Sequence, residues 1–91
     1  MEKKRNKLQI IRDILSVIKE RNRKIKPTHI LYKSNLSYMM MEQYLGELIA
    51  AGMIKEIKKE KAKTYEITEK GINYLSQYSL VQNFASSFGL E

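Results

Sequence analysis

Met53-Ile-Lys-Glu-Ile-Lys-Lys-Glu-Lys-Ala-Lys-Thr-Tyr-Glu-Ile-Thr-Glu-Lys-Gly71 is the stretch whose reading decides the fold. Apolar and polar residues alternate on both sides of a lysine-dense tip, the period-two pattern of two short strands. Tyr65 and Ile67 share one face of the second strand, and Met53 and Ile57 share one face of the first. The tip, Glu60-Lys-Ala-Lys63, lacks the Asn-Gly or Gly that marks the commonest tight hairpins, so the pairing rests on alternation. A helix start follows at once, with Thr68 as cap and Glu69 in the first turn. Just before the stretch, Gly52 ends another helix, because glycine accepts the positive φ of a helix terminus. The local order is therefore helix, basic hairpin, helix.

Ninety-one residues make one domain, and a hydrophobic fraction of 43% is enough for one small core. Without cysteine, disulfides and thiolate metal sites are excluded, which fits an intracellular protein. Met1 to Lys7 is polar and basic, with no apolar signal-peptide core after it. Formal net charge is +7, and its distribution is uneven. All 17 Lys and Arg and 9 of the 10 acids lie in residues 1–70, while residues 71–90 carry no formally charged side chain. A basic body points to a polyanion partner, nucleic acid foremost, with solubility as the alternative use of the charge. The uncharged tail is long enough to raise a membrane span, but two Asn, two Gln and four Ser within it argue against one.

Outward from the hairpin, residues 5–21 form an amphipathic helix with Leu8, Ile11, Ile14, Leu15 and Ile18 on one face. Arg5, Arg12 and Lys19 line a different stripe, expected to be solvated. Residues 22–26 are a basic connector that can hold a very short strand around Ile25. Pro27 starts a second, short helix, since a first helical turn has no use for the N–H that proline lacks. Ile30 and Leu31 face the core, and Asn35 suits the tight turn that follows. Ser37 caps a third helix running to about Ala51, with Met41, Leu45, Leu48 and Ile49 as its buried stripe. Two helices joined by a short turn make a helix-turn-helix.

Pro27-Thr-His-Ile-Leu-Tyr-Lys-Ser-Asn-Leu-Ser-Tyr38, Tyr44-Leu45, Gly52-Met-Ile54 and Tyr65-Glu-Ile-Thr-Glu-Lys-Gly71 together resemble the small archaeal winged-helix DNA-binding proteins. These include the chromatin-associated type that dimerises through a C-terminal antiparallel coiled coil. The resemblance covers about residues 7–80, and its most specific blocks are Asn35-Leu-Ser-Tyr38 and Ile67-Thr-Glu-Lys-Gly71. It implies a DNA-binding homodimer. His29 stands where the family often has arginine, and Met39 and Met40 stand where polar or basic residues are common. The expected fold class is α+β, mainly α: a winged helix-turn-helix with a long C-terminal dimerisation helix. Residues 1–70 form the DNA-binding part, with a wing over about 53–68, and residues 69–91 form the dimerisation helix packed on it.

Catalysis is not expected from one histidine, one aspartate, no cysteine and no phosphate-cradling glycine loop. Glu42 and Glu47 are five apart and do not share a helix face, and no spacing around His29 supports a metal. No cofactor or small-molecule ligand is expected. For DNA, phosphate contacts give affinity and base-edge contacts give specificity. Lys58, Lys59, Lys61 and Lys63 supply phosphate contacts at the wing, with Arg23, Lys24, Lys26, His29 and Lys33 near the second helix. The third helix places Met39, Gln43, Glu47 and Ala50 opposite its buried stripe, with Met40 beside them, and contains no Arg or Lys. The commonest specific contact, arginine to guanine, is thus missing there. Gln43 can pair with adenine, Met39 and Met40 can touch thymine methyls, and Ser37, Tyr38 and Tyr44 can reach phosphates. The alternative for both methionines is partly buried filler. Broad or AT-leaning binding to double-stranded DNA follows, in a cytoplasmic, nucleoid-associated protein acting as regulator or chromatin component. Two other readings stay open: a protein-interaction module docking through Met39 and Met40, and a double-stranded RNA binder.

Tyr74, Tyr78, Val81, Ala85 and Phe88 recur at alternating spacings of four and three, a heptad-like seam for a second copy, with Phe84 and Leu90 in support. Ile72 and Leu75 lie on another face, expected to pack on the domain itself. The alternative is a tail folded back on its own domain.

Overall fold

The computed structural model describes residues 5–90. The expected limits at residues 1 and 91 therefore lie outside the described residues. Along the chain come α1 (Lys7–Glu20), α2 (Pro27–Ser34), α3 (Tyr38–Ala50), β1 (Ile54–Lys59), β2 (Ala62–Ile67) and α4 (Glu69–Ser87).

Each helix begins on a chemically suited residue. Asn6 and Gln9 form a reciprocal capping box on α1, each side chain accepting from the other's backbone N–H. Pro27 opens α2, and Asn35 closes it in the left-handed conformation at φ 52°. Ser37 Oγ accepts from Met40 N at 3.2 Å, and Thr68 Oγ1 accepts from Gly71 N at 3.2 Å. At the end of α3, Gly52 N donates to Ile49 O and Met53 N to Leu48 O, the paired bonds of a Schellman ending, with Gly52 at φ 76°.

The two strands pair antiparallel, with Ile54 opposite Ile67, Glu56 opposite Tyr65 and Lys58 opposite Lys63. Glu60 turns the tip with φ 51°, a conformation that disfavours most side chains. The connector between α1 and α2 supplies a third edge. Ile25 bridges Tyr65, Arg23 N donates to Tyr65 O at 2.9 Å, and Asn22 Oδ1 accepts from Ile67 N at 2.8 Å. The short strand expected at Ile25 is thus present as a single bridge.

The core gathers the inner faces of all these elements: Ile14, Leu15 and Ile18 from α1, Ile30 from α2, Met41, Leu45 and Leu48 from α3, and Ile54, Tyr65 and Ile67 from the hairpin. Gly71 lets α4 lie against the hairpin root, because a Cβ there would overlap Met53 O and Ile67. Ser34 Oγ is buried and has no hydrogen-bond partner among the described residues.

Several expected faces turn out differently. Ile10, not Leu8, is buried on α1, and the Leu8 side chain is exposed in the first turn while its carbonyl accepts from Tyr74 of α4. Ile54 is the core residue of β1, because it pairs with Ile67; Ile57 lies on the opposite face, across from Thr64. Ile49 is exposed at the edge of the buried stripe: Met41, Leu45 and Leu48 enter the core, and Tyr44 packs partly against it. Ile72 is exposed, and Tyr74 takes the inward position on α4 beside Leu75. The arginine stripe of α1 is not simply solvated. Arg5 and Arg12 both bind Asp13, at 2.7 and 2.8 Å, and Arg5 also donates to Asn35 O.

Candidate nucleic-acid interface

The outer face of α3 follows from its inner one. With Met41, Leu45 and Leu48 in the core, Met39, Gln43, Glu47 and Ala50 turn outward. Met39 is 79% exposed, which removes the filler reading for that side chain, and Met40 is less open at 39%. Tyr38 is exposed at the start of the helix. Tyr44 packs half-buried against the core, about 140° around the helix from Met39. Glu47 is tied to α1 by Lys7 at 3.2 Å.

The first turn of α3, the start of α2 and the hairpin tip enclose a groove of 600 Å³ lined by Lys26, Pro27, Tyr38, Glu42 and residues 59–63. Lys59, Lys61 and Lys63 of the hairpin thus meet Tyr38 across one concave surface. Lys58 stands outside that lining, and so do His29, half-buried in α2, and Lys33, exposed in its last turn. Ser37 remains exposed, but its hydroxyl already serves as the cap of α3.

The charges of the hairpin are not equivalent. Glu56 lies 3.6 Å from Lys58 Nζ and 3.4 Å from Lys63 Nζ. Among the described residues, no carboxylate lies within 4.0 Å of Lys59 or Lys61. Beneath them, the pKa of the Tyr65 phenol is pushed up to about 12, by burial first and then by the charges of Glu56 and Glu42.

A second surface lies along α4. Its first half is docked: Tyr74 OH donates to Leu8 O at 2.9 Å, Tyr74 stacks on Tyr78 at 6.3 Å, and the Arg12 guanidinium sits 5.0 Å from the centre of the Tyr78 ring. Burial raises the Tyr74 pKa above its ordinary value, assisted by Tyr78 and opposed by Arg12. Beyond Tyr78 the helix leaves the core, and Leu80, Val81, Phe84, Phe88 and Leu90 are all exposed. Phe84 and Phe88 touch each other at 5.1 Å. A 670 Å³ groove between α1 and α4 includes Leu8, Tyr74, Tyr78, Val81, Ala85 and Leu90 in its lining.

The family model described as winged helix-turn-helix matches residues 4–86. The chain belongs to the winged helix-turn-helix family. Its structure is similar to that of Sso10a-2, a DNA-binding protein from Sulfolobus solfataricus, with a TM-score of 0.71 at 26% identity, covering 93% of this chain and 90% of that one. Two structures of ZitR from Lactococcus lactis share the fold at 18% identity. One, a cysteine-to-serine mutant of that protein, gives a TM-score of 0.69 over 96% of this chain and 66% of that one. The other, described as a zinc-responsive MarR family member, gives 0.63 over 97% and 60%. No curated protein matches this sequence.

In winged-helix terms β1 and β2 are the wing, and α2 and α3 are the helix-turn-helix. Glu42 is not among the contacts expected from the sequence, yet it lines the groove. The sequence offers Lys26 only as one of several cations in the connector, and it alone of them reaches that lining. Its place was legible as the residue before the α2 proline, which is where the N-cap must fall. Tyr32, 82% exposed on α2, carried no such signal. No helix among the described residues is long and apolar enough to cross a membrane.

Proposed function

We propose that this winged helix binds double-stranded DNA as a homodimer, as a transcriptional regulator or a chromatin-associated protein of the nucleoid. The observation that carries the reading is the groove in which Lys26, Lys59, Lys61 and Lys63 face the first turn of α3. One backbone strand lies along those lysines while α3 enters the major groove. Tyr38 offers a hydroxyl to phosphate, with His29, Lys33, Ser37 and Tyr44 at the margins. Gln43, Met39 and Met40 meet base edges, which favours broad or AT-leaning preference because no arginine is there to read guanine. The DNA-binding function of Sso10a-2 supports the assignment. Met39 and Met40 also suit docking of a protein, but they share their helix with a lysine-lined groove, which favours a polyanion.

Residues 1–70 then act as the DNA-binding part and 69–91 as the dimerisation helix. Val81, Phe84, Ala85 and Phe88, with Tyr74 and Tyr78 at the inner end, face the α4 of a second copy. Each large apolar side chain buried there contributes about 1.5–3 kcal/mol. Association costs on the order of 4–15 kcal/mol, so four or five exposed residues from each of two chains suffice. Having no charge in residues 71–90 spares the interface the cost of unpaired ions.

Fluorescence anisotropy on AT-rich, GC-rich and random duplexes, with duplex RNA as competitor, tests the reading. Tight binding to DNA of every composition, strongest on AT-rich duplexes and poorly displaced by RNA, is the expected result. Preferential displacement by duplex RNA contradicts it. Gln43→Ala changes the order of duplex preference more than it changes the salt dependence.

A further inference from the structure

Lys63 has two claims on its charge. It lines the groove between wing and α3, yet its ammonium lies 3.4 Å from Glu56 Oε2. The same carboxylate lies 3.6 Å from Lys58 through Oε1. The strand register explains the arrangement. Lys58 and Lys63 are direct cross-strand partners, and like charges placed so repel. Glu56 stands two residues before Lys58 on the same face of β1, diagonal to Lys63, and joins them. It is also the least exposed of the three, with side-chain exposure of 26% against 73% for Lys58 and 39% for Lys63.

We propose that Glu56 acts as a resident substitute for a phosphate, setting how much of the wing's charge DNA can use. The inference rests on the DNA-binding reading above. Lys59 and Lys61 meet the backbone directly. Lys58 and Lys63 do so only by leaving Glu56, so the wing grips with two lysines and holds two back. The carboxylate thus lowers affinity and flattens the salt dependence, a property that suits a protein required to release DNA.

The test is a salt titration of the intact protein on one duplex, comparing wild type, Glu56→Gln, Lys58→Ala/Lys63→Ala, the combination of all three, and Lys59→Ala/Lys61→Ala. Glu56→Gln is expected to tighten binding by about tenfold at moderate salt and to steepen the slope of log K against log salt by nearly two per protomer. In the Lys58→Ala/Lys63→Ala background the gain from Glu56→Gln disappears. A gain that persists undiminished there is a general charge effect and overturns the proposal. An unchanged slope in Glu56→Gln, with Lys59→Ala/Lys61→Ala still weakening binding, overturns it while leaving the DNA-binding reading intact. If Lys59→Ala/Lys61→Ala has no effect either, the parent reading fails as well. Should Glu56→Gln melt early, Lys63→Gln and Lys61→Gln decide the question. The account requires Lys63→Gln to cost less affinity, and the reverse order contradicts it.

Discussion

The wing and the outer half of α4 both extend beyond the core, and they are chemical opposites. The wing carries four lysines within residues 58–63 and ties two of them to Glu56. The outer half of α4 carries no formal charge and leaves Val81, Phe84 and Phe88 uncovered. A projecting element that cannot bury its own surface is open to a partner, and under the proposed function that partner is a polyanion for the wing and a second α4 for the helix. On α4 the run of exposed large apolar side chains begins past Tyr78, whose ring lies against Arg12 and Tyr74.

If the two regions serve separate partners, each can be disabled alone. The largest effect is expected from Val81→Asp with Phe88→Asp. Two apolar side chains are lost from each protomer, four from the interface, so dimer dissociation should rise on the order of ten-thousandfold or more. Light scattering at micromolar concentration should then report a monomer, with the melting temperature of the domain little changed. Lys59→Ala with Lys61→Ala should do the converse. Binding to all duplexes weakens on the order of a thousandfold, since the dimer loses four lysines and each lysine near an anionic surface contributes about 1 kcal/mol, and the mass stays dimeric. Lost dimerisation in this variant, or lost DNA binding with intact wing lysines in a proven dimer, breaks the division.

Smaller effects test the roots of the two projections. Tyr65, on the core-facing side of the wing, has a phenol pKa raised from 10.0 to about 12 in the folded protein. Folded and unfolded states are both protonated below about pH 10, so the stabilisation is complete there. Between about pH 10 and 12 the unfolded chain ionises first and stability falls, by about 2–3 kcal/mol in all. Urea midpoints at about pH 9 and pH 11 should show this decline, and Tyr65→Phe should lessen it. At the root of α4, Tyr74→Phe removes the bond to Leu8 O and should cost about 1 kcal/mol in a urea melt. Dimer mass should be unchanged in that variant, because the hydroxyl is spent on α1.

Much of this architecture could be read along the chain, because local chemistry and fold agree at the caps. Ser37, Thr68, Gly52, Pro27 and Asn35 all mark boundaries that the structure keeps. What escaped were choices between neighbouring apolar residues. Ile54 and Ile57 are equally suited to a core, and only the pairing of Ile54 with Ile67 decides which enters it. Ile72 is more apolar than Tyr74, but the tyrosine hydroxyl finds a backbone carbonyl on α1, a long-range bond that periodicity does not carry. On the binding surface, the clustered lysines were legible as composition. Their division by Glu56 was not, since it depends on the register that sets Lys58 against Lys63.

The central claim is that the wing lysines grip DNA electrostatically, delivered twice by a dimer. The most direct test is the dependence of the binding constant on salt, measured by anisotropy on a random duplex with mass recorded in parallel. Engagement of about six to eight phosphates predicts a slope of log K against log salt of about −5 to −7, from a dimer. A slope near zero contradicts the account.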